Sequence, residues 1–168
     1  MDETILTLLP PLRKCWMKRG EQKQIPTPSV QKRAYLFGAY DWHSDTISWL
    51  VSQQQNSHTF LEFLLHLMLT CYPTERVILV LDNAPHHRSA FSQAALSLFE
   101  DRLLVFWLPR YCSTLNPIER FWKHLKEHVC INKLFATLHD LTDSIVNELT
   151  LQNSLKTFRF SKHQVLST

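Results

Sequence analysis

Only two glycines, Gly20 and Gly38, serve a chain of 168 residues. Phosphate-cradling loops of the Walker or dinucleotide kind need several glycines close together, so both are excluded. The four cysteines, Cys15, Cys71, Cys112 and Cys130, are scattered with no C-x-x-C pair. That spacing suits neither a zinc knuckle nor a disulfide-stapled secreted fold, and they read as structural thiols of a reducing compartment. No apolar run approaches the roughly 18 residues of a membrane span, and the mean hydropathy is -0.17. The opening MDETILTLLPPLRKC carries two acids, no basic n-region and two prolines, which is not the pattern of a signal peptide.

What is present is enough to fold. The chain is 45% hydrophobic, 11% aromatic and 20% charged, the balance of an ordinary globular domain with a real core. Its length allows one domain, taken here as residues 1–155, with a C-terminal tail at 156–168. The net charge of +3 is unevenly spread. From Pro10 to Arg33, seven cations (Arg13, Lys14, Lys18, Arg19, Lys23, Lys32, Arg33) face one acid, Glu21, so the remainder is net negative. A basic loop at 10–33 on such a body reads either as a nucleic-acid contact or as a solvated loop.

The order of elements follows from periodicity. Residues 10–31 hold four of the eight prolines and read as an extended loop. RAYLFGAYDW and TISWLV, separated by His43-Ser44-Asp45, read as a hairpin. Thr59 and Glu62 form a capping box for a helix running to about Cys71. Arg76–Asp82 and Leu103–Leu108 read as buried strands around a helix from Ser89 to about Glu100. Asn116-Pro117 opens a helix with Ile118, Trp122, Leu125 and Val129 on one face, and a last helix spans roughly Leu138–Gln152. A hairpin followed by βαβ crossovers implies an α/β domain, a mixed sheet flanked by helices, with ligands at the carboxyl ends of the strands.

Asp82 ends the first buried strand, and such a carboxylate is either an Asx turn or a metal ligand. Glu119 sits three residues after Asn116, where on local evidence it reads as a helix-start acid ahead of a site residue. His87 is a turn residue or a group that orients a phosphate or water. His124 and His128 lie four apart on one helix but without the H-E-x-x-H acid that would suggest zinc. Trp42, Trp49, Trp107 and Trp122 fall on apolar patterns and read as core.

Together, Asp2-Glu3, the run Asp82-Asn83-Ala84-Pro85-His86-His87, and Leu108-Pro109-Arg110-Tyr111-Cys112-Ser113-Thr114-Leu115-Asn116-Pro117-Ile118-Glu119 with Trp122 resemble DDE-type transposases. The resemblance is to the bacterial insertion-sequence branch of the mariner superfamily. The 36 residues between Asp82 and Glu119 suit that branch. One departure is Cys112-Ser113, where the family has Ser-Pro.

The resemblance implies a ribonuclease H-like fold with Asp2, Asp82 and Glu119 as catalytic, metal-holding carboxylates. Two Mg²⁺ ions, with Mn²⁺ as a substitute, are the implied cofactors, because oxygen-only ligands select hard cations. The implied function is cleavage and strand transfer at transposon ends, with terminal inverted repeats and target DNA as partners. Lys18, Arg19, Lys23, His87, Arg120, Lys123 and Lys126 are the DNA-contact candidates. The resemblance places the family aspartate on the first, central strand, so that strand is expected to be largely missing at the N-terminus. It also implies an upstream helix-turn-helix half, a homodimer when active, and a bacterial cytoplasmic, nucleoid-associated location. The alternative is a catalytically inactive transposase remnant that only binds DNA or a partner chain.

Overall fold

The computed structural model describes residues 1–9, 11–14, 16–21, 24, 32–109 and 115–155. Strand β1 (Asp2–Thr7) pairs antiparallel with β2 (Arg33–Asp41), which pairs antiparallel with β3 (Thr46–Ser52). Asp2 lies opposite Gly38, and Thr7 opposite Arg33. A second pair, β4 (Val77–Leu81) and β5 (Leu103–Trp107), is parallel and in register from Val77–Leu103 to Leu81–Trp107. The three-stranded antiparallel sheet and the two-stranded parallel sheet meet where the Met1 amine donates to the Val80 carbonyl at 2.9 Å. Helices α1 (Ser57–Leu65), α2 (Pro85–Arg88), α3 (Ala90–Ser97), α4 (Pro117–Val129) and α5 (Leu138–Leu155) flank them.

Strand alternation divides the interior into two cores. Leu6, Leu8, Ala34 and Leu36 pack against Ile118, Trp122 and Leu125 of α4 and Leu141, Ile145 and Leu149 of α5. On the opposite side, Met1 and Phe37 pack with Phe60, Phe63 and Leu64 of α1 and with Leu79 and Leu81 of β4. By the same alternation Asp2 shares its face with Thr4 and Leu6, toward α4, while Glu3 turns to the α1–α2 side. Adjacent acids are thereby sent to different chemical environments.

Several elements differ from the sequence reading. The first strand, β1, runs six residues, from Asp2 to Thr7. Helix α1 begins at Ser57 with Asn56 as its cap, whose side chain accepts from the His58 and Thr59 amides at 3.0 Å each. Asn is among the strongest N-caps, and it displaces the Thr59–Glu62 box by three residues. The helix then widens into a π-helical turn, His66–Cys71, closed by the Tyr72 amide on the Leu67 carbonyl at 2.8 Å. A short helix, α2, precedes the Ser89 cap of α3, with Pro85 at its first position, where a missing N–H costs nothing. Trp42 is 45% exposed at the hairpin end, stacked edge-on to Tyr40, and so is not core. Up to residue 32 the described parts of the 10–33 loop hold no helix or strand, while Arg33 already belongs to β2, and Arg13 pairs with Glu127. The tail at 156–168, Lys23, and the stretch Arg110–Thr114 lie outside the described residues.

Candidate active site

Three elements carry the acids that the resemblance singles out. Asp2 opens β1, Asp82 directly follows β4, and Glu119 occupies the first turn of α4. The Met1 amine joins the first two, because its bond to Val80 sets the start of β1 beside the end of β4. The start of α4 is tied in by Asn116, whose side-chain amide donates to the Met1 carbonyl at 3.3 Å. The helix starts as the motif reads, with Asn116 at the N-cap, Pro117 at the first position and Glu119 in the first turn, but Asn116 is buried and its side chain makes a tertiary tether in place of a cap bond. Burial lowers the Met1 ammonium pKa, while the charges of Asp2, Glu3 and Asp82 all pull it upward. The amine thus sits in the field of three acids.

Asp2 and Glu119 share a cleft of about 470 Å³ with Trp122, Lys123 and Lys126. Burial pushes the Asp2 carboxyl up to about 7, and the nearby charges of Glu3 and Glu119 add to the rise against a stabilising backbone bond from Glu3. Glu119 is exposed and has no side-chain hydrogen bond among the described residues. Burial lowers the Lys126 pKa, which Asp2 partly offsets. A negative cluster of this kind is relieved by a cation.

Asp82 does both things its position allows. Its Oδ1 accepts the Ala84 amide at 3.0 Å, the Asx turn, and also meets His87 Nδ1 at 2.7 Å. Its Oδ2 has no hydrogen-bond partner among the described residues, and the side chain is 45% exposed. The hydrogen bond from His87, followed by the Ala84 amide, outweighs partial burial and holds this carboxyl below its usual value.

His87 is fully buried, and its Nε2 lies 2.8 Å from Glu3 Oε1. Both partners of the ring are carboxylates, which accept and do not donate when ionised, so both ring nitrogens donate. Burial opposes that charge, yet the bonds to Asp82 and Glu3 raise the His87 pKa to about 9. Burial likewise opposes the Glu3 charge, and the bonds from His86 and His87 still bring its carboxyl to about 2. A fully buried ring has no surface left for a phosphate, so its candidacy as a DNA contact gives way to an internal role.

The other DNA-contact candidates divide by position. Arg120 and Lys123 are exposed on α4 and Lys126 is half-buried in the cleft, all on the helix that carries Glu119. Lys18 and Arg19 are exposed, with Lys18 4.0 Å from Glu21. Glu3 was legible only as half of the Asp2-Glu3 pair; its separate task comes from strand parity. Among the described residues, the His, Cys, Asp and Glu groups whose ligand atoms cluster within 4.8 Å are Glu3, His86 and His87, and His124 and His128 form no such cluster.

Glu119 and Asp82 Oδ2 are unengaged oxygens, the donor type that takes a hard divalent cation, but Asp2, Asp82 and Glu119 do not form a group whose ligand atoms lie within 4.8 Å of one another.

Residues 1–142 match the DDE superfamily endonuclease family. An insertion element IS630 uncharacterized 39 kDa protein from Shigella sonnei is 26% identical over 144 residues, 86% of this chain and 42% of that protein. The chain therefore spans less than half the length of this curated relative. Among solved structures, a pre-cleavage Mos1 transpososome superposes with a TM-score of 0.73 at 14% identity, over 94% of this chain and 49% of that one. The Mos1 mariner paired end complex with Mn gives 0.72 at 15% identity, again over 94% and 49%. At such identities the likeness is one of fold, the ribonuclease H-like α/β architecture. With 142 of its residues matched, the chain belongs to the DDE superfamily endonucleases.

Proposed function

We propose that this domain cleaves and joins DNA strands at transposon ends, with Asp2, Asp82 and Glu119 as the catalytic carboxylates. The observation that carries the reading is the shared cleft of Asp2 and Glu119, with Asp82 held at the adjoining strand end by the Met1–Val80 junction. Asp82 would hold divalent cation through Oδ2, and Asp2 and Glu119 would each complete one side. Two Mg²⁺ ions, or Mn²⁺ in their place, supply charge neutralisation at phosphorus and an activated water or 3′-hydroxyl. The chain's own contribution would be to supply oxygen ligands from three elements, and to hold Asp82 through its bond to His87. Arg120, Lys123 and Lys126 flank Glu119 and suit the phosphates on either side of the scissile bond.

Transposon terminal repeats and target DNA are the proposed substrates, in keeping with the transposon-end complex formed by the Mos1 relative. A helix-turn-helix half and a homodimer complete the proposal, since the relatives run well beyond the span matched here. No described helix is long and apolar enough to cross a membrane.

The test is Mg²⁺- and Mn²⁺-dependent nicking of supercoiled plasmid by the purified chain beside Asp82→Asn. The expected outcome is nicking by wild type and none by the variant, with unchanged circular dichroism. Equal nicking by both removes Asp82 from the site. A folded wild type that never nicks favours the inactive, DNA- or partner-binding alternative.

A further inference from the structure

We propose that Glu3 and His87 are positioning residues that fix Asp82 so that it offers a cation Oδ2 alone, and that Glu3 is not itself a ligand. The proposal rests on the reading of Asp82 as a metal-holding carboxylate given above. Its geometric basis is separate from the triad. His87 Nδ1 lies 2.7 Å from Asp82 Oδ1, and His87 Nε2 lies 2.8 Å from Glu3 Oε1. The second Glu3 oxygen is taken by His86 Nε2 at 3.2 Å. Both Glu3 oxygens are thus engaged, and its side chain is only 4% exposed.

The turn that carries the two histidines is itself anchored. The His86 carbonyl accepts from the hydroxyls of Ser57 at 3.3 Å, Ser89 at 3.2 Å and Ser92 at 2.5 Å. The His87 carbonyl accepts from the Gln93 side chain at 2.9 Å. Phe60 packs on the His87 ring with centroids 4.9 Å apart. The imidazole cannot swing away without breaking several of these contacts at once, so the rotamer of Asp82 follows from it. The Ala84 amide takes the remaining capacity of Oδ1, which leaves Oδ2 directed outward. Partners behind a ligand that set its orientation typically change metal affinity about 10- to 100-fold when removed.

Direct Mn²⁺ binding, read from the loss of the free-ion electron paramagnetic resonance signal, tests this without any DNA. His87→Gln keeps an amide near the Nε2 position and loses the bond to Asp82; it is expected to weaken Mn²⁺ binding about 10- to 100-fold. His87→Asn places its amide near Nδ1 and is expected to recover most of the affinity. Glu3→Gln, the mildest change, gives an intermediate loss and serves if either His87 variant does not fold. Thermal melts confirm folding in each case. Wild-type affinity in folded His87→Gln and Glu3→Gln overturns the proposal, as does failure of His87→Asn to outperform His87→Gln. Tight Zn²⁺ binding by wild type that vanishes in His86→Ala also overturns it, because Glu3 would then be a ligand. If wild type binds no Mn²⁺, the metal reading itself fails and the positioning role falls with it.

Discussion

Gly38 on β2 lies against the indole of Trp122 on α4. A Cβ at residue 38 would stand 2.6 Å from Trp122 Cζ2 and 3.3 Å from Ile118 Cδ1. The glycine thereby sets how closely α4 can approach the sheet. Trp122 lies one turn after Glu119, and Asp2 is the strand partner of Gly38, so this one contact also sets the Asp2–Glu119 approach. Gly38→Ala is expected to cost about 1–3 kcal/mol through overpacking. Urea denaturation checks it, and a stability equal to wild type would show that the indole moves aside freely.

The Glu3–His87 pair gives stability a defined pH window. An acid depressed from 4.5 to about 2 stabilises the fold above its unfolded value, and that contribution fades as pH falls toward 2. A histidine raised from 6.5 to about 9 stabilises below 6.5, and that contribution fades as pH climbs through about 9. Both are complete between about 4.5 and 6.5. The melting-temperature gap between wild type and Glu3→Gln, measured in EDTA, is expected to be widest there and to shrink toward either extreme. A gap that stays constant across pH contradicts the ion pair.

Asn153 on α5 closes the open edge of β3. Its carbonyl accepts from the Ile47 amide and its amide donates to the Ile47 carbonyl, each at 2.9 Å. The side chain imitates a neighbouring strand for one residue, which blunts an edge otherwise ready to pair with another chain. Asn153→Ala is expected to cost about 1–3 kcal/mol, the penalty of unsatisfied polar groups. Faster hydrogen exchange at the Ile47 amide is the local sign; unchanged exchange would mean solvent replaces the side chain at no cost.

The basic face of α4 predicts a salt signature. If Arg120 and Lys123 each neutralise a duplex phosphate, the slope of log K against log salt is expected to lose about 0.9 per residue on substitution by alanine. The same series on Lys18 and Arg19 tests the basic loop. Binding isotherms at several salt concentrations decide which surface meets DNA, and an unaltered slope excludes the residue concerned.

Much of this was legible in one dimension because the signals are local. Two apolar runs, the Pro117 helix start, and the spacing of Ile118, Trp122 and Leu125 all act within one or two turns of chain, whereas Pro85, which reads as a strand stop, opens a short helix. The Asp82 and Glu119 motifs are likewise contiguous strings. The helix at 57–71 was placed with the wrong cap, because Asn56 and Thr59 are both competent and only the backbone path selects between them.

By itself, the sequence determined the α/β class and the order of most strands and helices, since periodicity acts on neighbouring residues, while the choice of carboxylates came from the resemblance of its motifs to a family. Only the tertiary structure decided that Glu3, though it borders the same cleft as Asp2, gives its carboxylate to His86 and His87. Strand parity, and a partner 84 residues away, set that pairing. The packed chain likewise gave Asn116 to the Met1 carbonyl in place of a cap bond, and His87 to the interior in place of DNA. A side chain with several competent partners bonds to whichever the packed chain brings within reach, and that distance is not written in spacing along the sequence.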